Sequence, residues 1–92
     1  MDLLQTLQQA KCEETGNLRT HIDSLVDLRE KLAAMGKTIT DDQFTAVLLR
    51  SLPTSYKDLA SHIMTIAVVN GKPITPSTVI RVINNEYDTR TR

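Results

Sequence analysis

Gly36-Lys37-Thr38-Ile39-Thr40-Asp41-Asp42-Gln43-Phe44, with Leu48-Leu49-Arg50-Ser51-Leu52-Pro53-Thr54-Ser55-Tyr56 close behind, holds a helix stop, a helix start, an apolar helix and a second stop. Gly36 suits the left-handed position that closes a helix. Thr40 and Gln43 stand at the spacing of a capping box, which satisfies two backbone N–H groups at a helix start. Asp41 and Asp42 then fall in the first turn, where the helix dipole favours anions. Ile39 and Phe44 are placed to form a hydrophobic staple across that cap. Phe44, Val47, Leu48 and either Ser51 or Leu52 make the inward stripe. Pro53 cannot continue the helix and pushes Leu52 towards extended geometry.

The same punctuation runs outward from this stretch. Upstream, Asn17 is placed to cap a helix whose apolar residues are Leu18, Ile22, Leu25, Leu28, Leu32 and Met35. Their spacings of three and four keep them on one helical face up to Gly36. Asp27 and Lys31 add an i,i+4 pair. A first helix starts at Asp2, carries Leu3, Leu4, Leu7 and Ala10, and is expected to end near Glu14, with Gly16 as its left-handed terminator. Downstream, Thr54 or Ser55 is expected to cap a fourth helix bearing Tyr56, Leu59, Ala60, Ile63 and Ala67. Ile66, Val68 and Val69 are β-branched, yet no partner strand exists and Asn70-Gly71 ends a helix-period run. Thr75 and Pro76 open a fifth helix as cap and first residue, with Ile74 placed to staple to Val79, and with Ile80, Ile83 and Tyr87 facing inward. Thr89, Arg90, Thr91 and Arg92 read as a frayed polar tail. The expected architecture is all-α, a compact bundle of about five short helices forming one domain over residues 1–92.

Composition limits what such a bundle does. Its 92 residues include only three aromatic side chains, Phe44, Tyr56 and Tyr87, so the core is aliphatic. A chain this size buries roughly 60–65% of its unfolded surface, and pairing with another copy is a common way to gain stability. Eleven Lys and Arg balance eleven Asp and Glu. Zero net charge argues against direct nucleic-acid binding and offers no self-repulsion. One cysteine, Cys12, forms no internal disulfide, and the longest apolar run, Ile66–Val69, is far short of a membrane span. No signal peptide is visible, so a cytoplasmic location is expected.

No residue pattern announces a reaction. His21 and His62 lie on different helices without an orienting carboxylate nearby and read as boundary or surface residues. One Cys and two scattered His match no metal-site spacing. Cys12 reads as a small apolar residue, and Asp41-Asp42 as helix-start acids. Gly71-Lys72 lacks the rest of a phosphate loop. Arg81, Arg90 and Arg92 read as solubilising cations near a helix end. No catalytic residue, cofactor, metal or small-molecule substrate is expected. What remains is apolar surplus: Leu4, Leu49 and Met64 fall beside their helices' core stripes. That is what a pairing surface shows, and also what burial from several sides in a bundle shows.

The opening stretch, written G-x-x-I-x-D-D … LL-x-SLP-x-SY, resembles the Gag polyproteins of copia-type LTR retrotransposons. Leu25, Leu28, Leu32 and Gly36 resemble that family's L-x-x-L-x-x-x-L-x-x-x-G segment. Ile74-Thr75-Pro76-Ser77-Thr78-Val79 and Ile83-Asn84-Asn85-Glu86 resemble its closing helix. Together the resemblance covers Leu3 to Tyr87. It implies a capsid region similar to the C-terminal lobe of retroviral-type capsids, in a protein that pairs with itself as a homodimer and builds a virus-like particle. By the same resemblance the pairing surface falls on the third helix, at Thr45 and Leu49, with Leu4 and Met64 contributing. The polar pattern of the retroviral major homology region is not cleanly present, Ser24 standing where an Arg is expected, so no role of that motif is carried over. A Trp-bearing lobe upstream and a zinc knuckle downstream are missing, and Met1 is expected to mark a trimmed start. A domesticated Gag-derived module, binding itself or a cellular peptide, is the alternative.

Overall fold

Local chemistry sets most of the helix boundaries. The computed structural model describes residues 3–14, 16–71 and 74–91. Over these the chain forms α1 (Leu3–Gln9), α2 (Leu18–Ala34), α3 (Asp41–Arg50), α4 (Lys57–Asn70) and α5 (Pro76–Arg90), with a 3₁₀ turn at Thr54–Tyr56 leading into α4. The bundle is all-α, and the described residues hold no strand. Ile66, Val68 and Val69 are helical.

The capping box at the start of α3 is complete. The Thr40 hydroxyl accepts from the Gln43 N–H at 3.1 Å, and the Gln43 side chain accepts from the Thr40 N–H at 3.0 Å. Asn17 accepts from the Thr20 N–H at the start of α2, and Thr75 from the Thr78 N–H at the start of α5. α2 ends at Gly36, whose φ is +85°. There the Gly36 N–H donates to Ala33 and the Lys37 N–H to Leu32, the two bonds of a Schellman motif. An alanine at position 36 meets no neighbouring atom but must adopt the left-handed conformation. Gly36→Ala is therefore expected to cost roughly 1–2 kcal/mol. A urea denaturation midpoint equal to the parent's would show that this turn adapts without strain.

Three boundaries differ from the sequence reading, each for a tertiary reason. α1 stops at Gln9 rather than near Glu14. Residues 11–14 instead bind the turn after α3. Lys11 Nζ donates to the Leu52 carbonyl at 2.7 Å, the Cys12 N–H donates to the Ser51 carbonyl at 2.8 Å, and the Ser55 N–H donates to the Glu14 carboxylate at 2.9 Å. These bonds outweigh continued helix; the expected left-handed turn at Gly16 adjoins residue 15, which lies outside the described residues. The Glu14 bond also replaces the expected cap: neither Thr54 nor Ser55 caps by its side chain, and a carboxylate some forty residues away takes that place. Hydrogen bonding from Ser55 holds the Glu14 carboxyl below its ordinary range. The expected frayed tail is helix as far as Arg90, whose guanidinium sits 3.9 Å from the Tyr56 ring, donates to the Ser55 carbonyl and pairs with Glu86. Met35 lies past the last turn of α2 and is 61% exposed, so it does not extend the apolar stripe. The expected Asp2 cap and Arg92 lie outside the described residues.

The core is a single cluster drawn from every helix and the connecting loops. Leu7, Leu18, Ile22, Leu25, Leu32, Phe44, Leu48, Val79 and Ile83 are fully buried in it. α2 packs against α1, α3 and α5, and α3 against α5. Arg29 of α2 clamps the start of α3: it donates to the Ile39 carbonyl, pairs with Asp41 and lies over the Phe44 ring. Arg19 of α2 pairs with Asp88 of α5. The Cα envelope is flat, 36 × 34 × 17 Å. A slab so thin leaves its outer helices half covered, and α4, which packs chiefly on its own 3₁₀ turn, is covered least.

Candidate self-association surface

α3 borders two hollows, one on each flank. Thr45 and Leu49 face α4, where with Ile63 and Met64 they line a groove of about 150 Å³. Leu4 lies on the other flank, in a cavity of about 410 Å³ between α1 and α3 that it shares with Val47 and Arg50. The structure thus brings together three of the four sequence-named residues, Thr45, Leu49 and Met64, and sets Leu4 apart. Leu4 and Leu49 are half-buried against the core. The Thr45 hydroxyl oxygen is buried with no hydrogen-bond partner among the described residues. Met64 is 58% exposed.

The largest exposed apolar side chains continue from Met64 along α4. Val68 and Val69 are 81% and 77% exposed, and Ile66 is also exposed. From Leu59 to Asn70 this helix holds no Lys, Arg, Asp or Glu. Sequence reading named Met64 and missed Val68 and Val69. The available signal was apolar residues on both sides of a helix with no charged side to face water.

Two polar clusters have the residue types of a reactive site and lack its access. His21 Nε2 lies 2.9 Å from Ser51 Oγ. The Ser51 hydroxyl proton is taken by the Leu48 carbonyl at 2.9 Å, so the imidazole donates through Nε2–H and the serine accepts. A serine held this way, and 1% exposed, cannot attack a substrate. Burial, with the Glu13 and Glu14 charges adding to it, pushes the Cys12 thiol up, which keeps it protonated. Both clusters are structural: they fasten the segment after α1 and one side of α2 to the end of α3. His62 is exposed. Asp41 pairs with Arg29 at the helix start. Among the described residues no group of three or more His, Cys, Asp or Glu is placed to hold a metal ion, and no helix is long and apolar enough to cross a membrane.

Burial also holds the His21 pKa below the ordinary imidazole value. The unfolded chain therefore takes up this proton first as pH falls. The stability His21 contributes is complete above the ordinary imidazole range and is lost as pH drops through it towards the folded value. Thermal melts between pH 7.5 and 5 are expected to show a falling midpoint, and His21→Gln to flatten that fall. Equal slopes in the two proteins would remove His21 as the cause.

Comparison with curated proteins and with solved structures returns no match. The family of gag-polypeptides of LTR copia-type matches over residues 1–92, and this chain belongs to that family.

Proposed function

We propose that this chain is a structural, self-associating segment of a retrotransposon Gag, folded as one domain over residues 1–92 and forming one repeated contact of an intracellular particle. The observation that carries this reading is the charge-free outward side of α4, with Met64, Val68 and Val69 in water, continuous with the groove at Thr45 and Leu49. Contiguous exposed apolar surface of this kind marks association sites on soluble proteins. A shell tolerates weak individual contacts because many act together. The balance of formal charge favours contact with like copies over contact with RNA. Nothing in the described side chains supports a chemical step. Sedimentation equilibrium over a concentration series tests the reading. Concentration-dependent association is expected, and a strict monomer at high micromolar concentration would overturn it.

A further inference from the structure

Charges in this chain are balanced in number yet separated in space. Lys11, Arg50 and Lys57 rim a groove of about 230 Å³ at the α3–α4 junction, floored by Leu49, Leu52 and Met64, and no acidic residue lines it. Lys11 donates to the Leu52 carbonyl, while Arg50 and Lys57 make no ion pair with any described residue. Three uncompensated cations around one apolar floor set up a positive local field.

The complementary feature lies on α2. Asp23, Asp27 and Glu30 recur at spacings of four and three on the side opposite the buried Leu18, Ile22, Leu25 and Leu32, and all three are exposed. Asp27 shares its charge with Lys31 at 2.9 Å, and Asp23 lies in the field of Arg19 one turn before it, though neither Asp23 nor Glu30 makes an ion pair with a described residue. The ridge runs about 10 Å along the helix. It shares no residue with the groove.

We propose that copies of this chain join head to tail, the acidic ridge of α2 in one copy seated over the cationic groove of the next. The proposal rests on the self-association reading and specifies its geometry. A two-fold contact at the groove would bring six cations together with no anion between them, and like charges facing each other across an interface cost several kcal/mol. A head-to-tail contact matches opposite charges and places the apolar floor of Leu49 and Met64 under them. Such a contact does not close at two copies; it continues into rings or curved arrays, the geometry a shell needs.

The test uses charge reversal on exposed side chains. Arg50→Glu with Lys57→Glu makes the groove acidic, and Asp23→Lys with Glu30→Lys makes the ridge basic. Sedimentation velocity on each double variant alone is expected to show at least a tenfold weaker association than the parent. Mixing the two is expected to restore it, because acidic ridge meets cationic groove and basic ridge meets acidic groove in alternation. The parent is expected to associate less as salt rises from 50 to 500 mM, whatever the variants do. A parent that is monomeric at low salt sinks both this proposal and the reading beneath it. A parent that associates independently of salt, a ridge variant that associates like the parent, or two helical variants that fail to rescue each other overturn the head-to-tail geometry alone. Binding of oligouridylate at the groove, with the ridge variant pairing normally, would likewise assign the groove to a polyanion and end the proposal.

Discussion

Phe44→Ala is expected to cost about 3–5 kcal/mol of folding stability, the usual range for deleting a fully buried ring. Total stability for a domain of this length is about 5–14 kcal/mol, so even the smallest loss against the largest total removes about a fifth of it. Three physical terms combine at this side chain. The ring is 2% exposed and sits in the core, so its removal leaves a cavity in a flat molecule with little bulk to collapse into it. Ile39, the other half of the expected staple, is buried in the same core cluster at the entry to α3. Its face also carries the Arg29 guanidinium at 4.8 Å, and Arg29 in turn holds the Ile39 carbonyl and Asp41. Urea denaturation followed by circular dichroism measures the change. A cost below about 1.5 kcal/mol, the range for volume-conserving swaps, would show that the cluster repacks around the gap and that the aliphatic side chains alone hold α3 in place.

The second large effect is on association. Replacing Met64 and Val68 together with aspartate is expected to weaken self-association by tenfold or more, since two new charges would need to be buried where apolar side chains stood. Folding is expected to survive, because the two side chains are 58% and 81% exposed. Aspartate inside a helix costs only about 0.7 kcal/mol per position. Leu49→Asp is a less discriminating variant: Leu49 is half-buried against the core, so that substitution lowers stability and pairing together. Unchanged sedimentation of the Met64 and Val68 double variant, with helicity intact, would remove α4 from the surface and leave its exposed valines without a partner.

How much of this was legible in advance follows from the range of each interaction. The caps at Asn17, Thr40 and Thr75 join residues three apart, and all three form with the partners their sequence spacing implies. Gly36 and Gly71 close their helices with positive φ, again a local requirement. The early end of α1 was not legible, because its causes lie at Ser51, Leu52 and Ser55. Glu14 carried no mark as a capping group, since a carboxylate caps a distant helix only where the fold delivers it. Arg90 read as a tail cation for the same reason: Tyr56, the ring it covers, is remote in sequence. Within the candidate surface, Thr45, Leu49 and Met64 were named by pattern and resemblance and are neighbours in space, whereas Leu4 shares their pattern and lies on the other flank of α3. Val68 and Val69 went unnamed because periodicity tells which residues share a helical side, not which side a neighbouring helix covers.

The sequence by itself determined where α2, α3 and α5 begin, where α2 and α4 end, and which aliphatic stripes turn inward. Those choices are made by hydrogen bonds and contacts three to five residues long. Only the tertiary structure decided where α1 stops, what caps the turn before α4, which apolar residues stay in water, and that Lys11, Arg50 and Lys57 converge. Each of these depends on groups brought together across tens of residues, and the free energy of such contacts exists only once the chain has closed on itself.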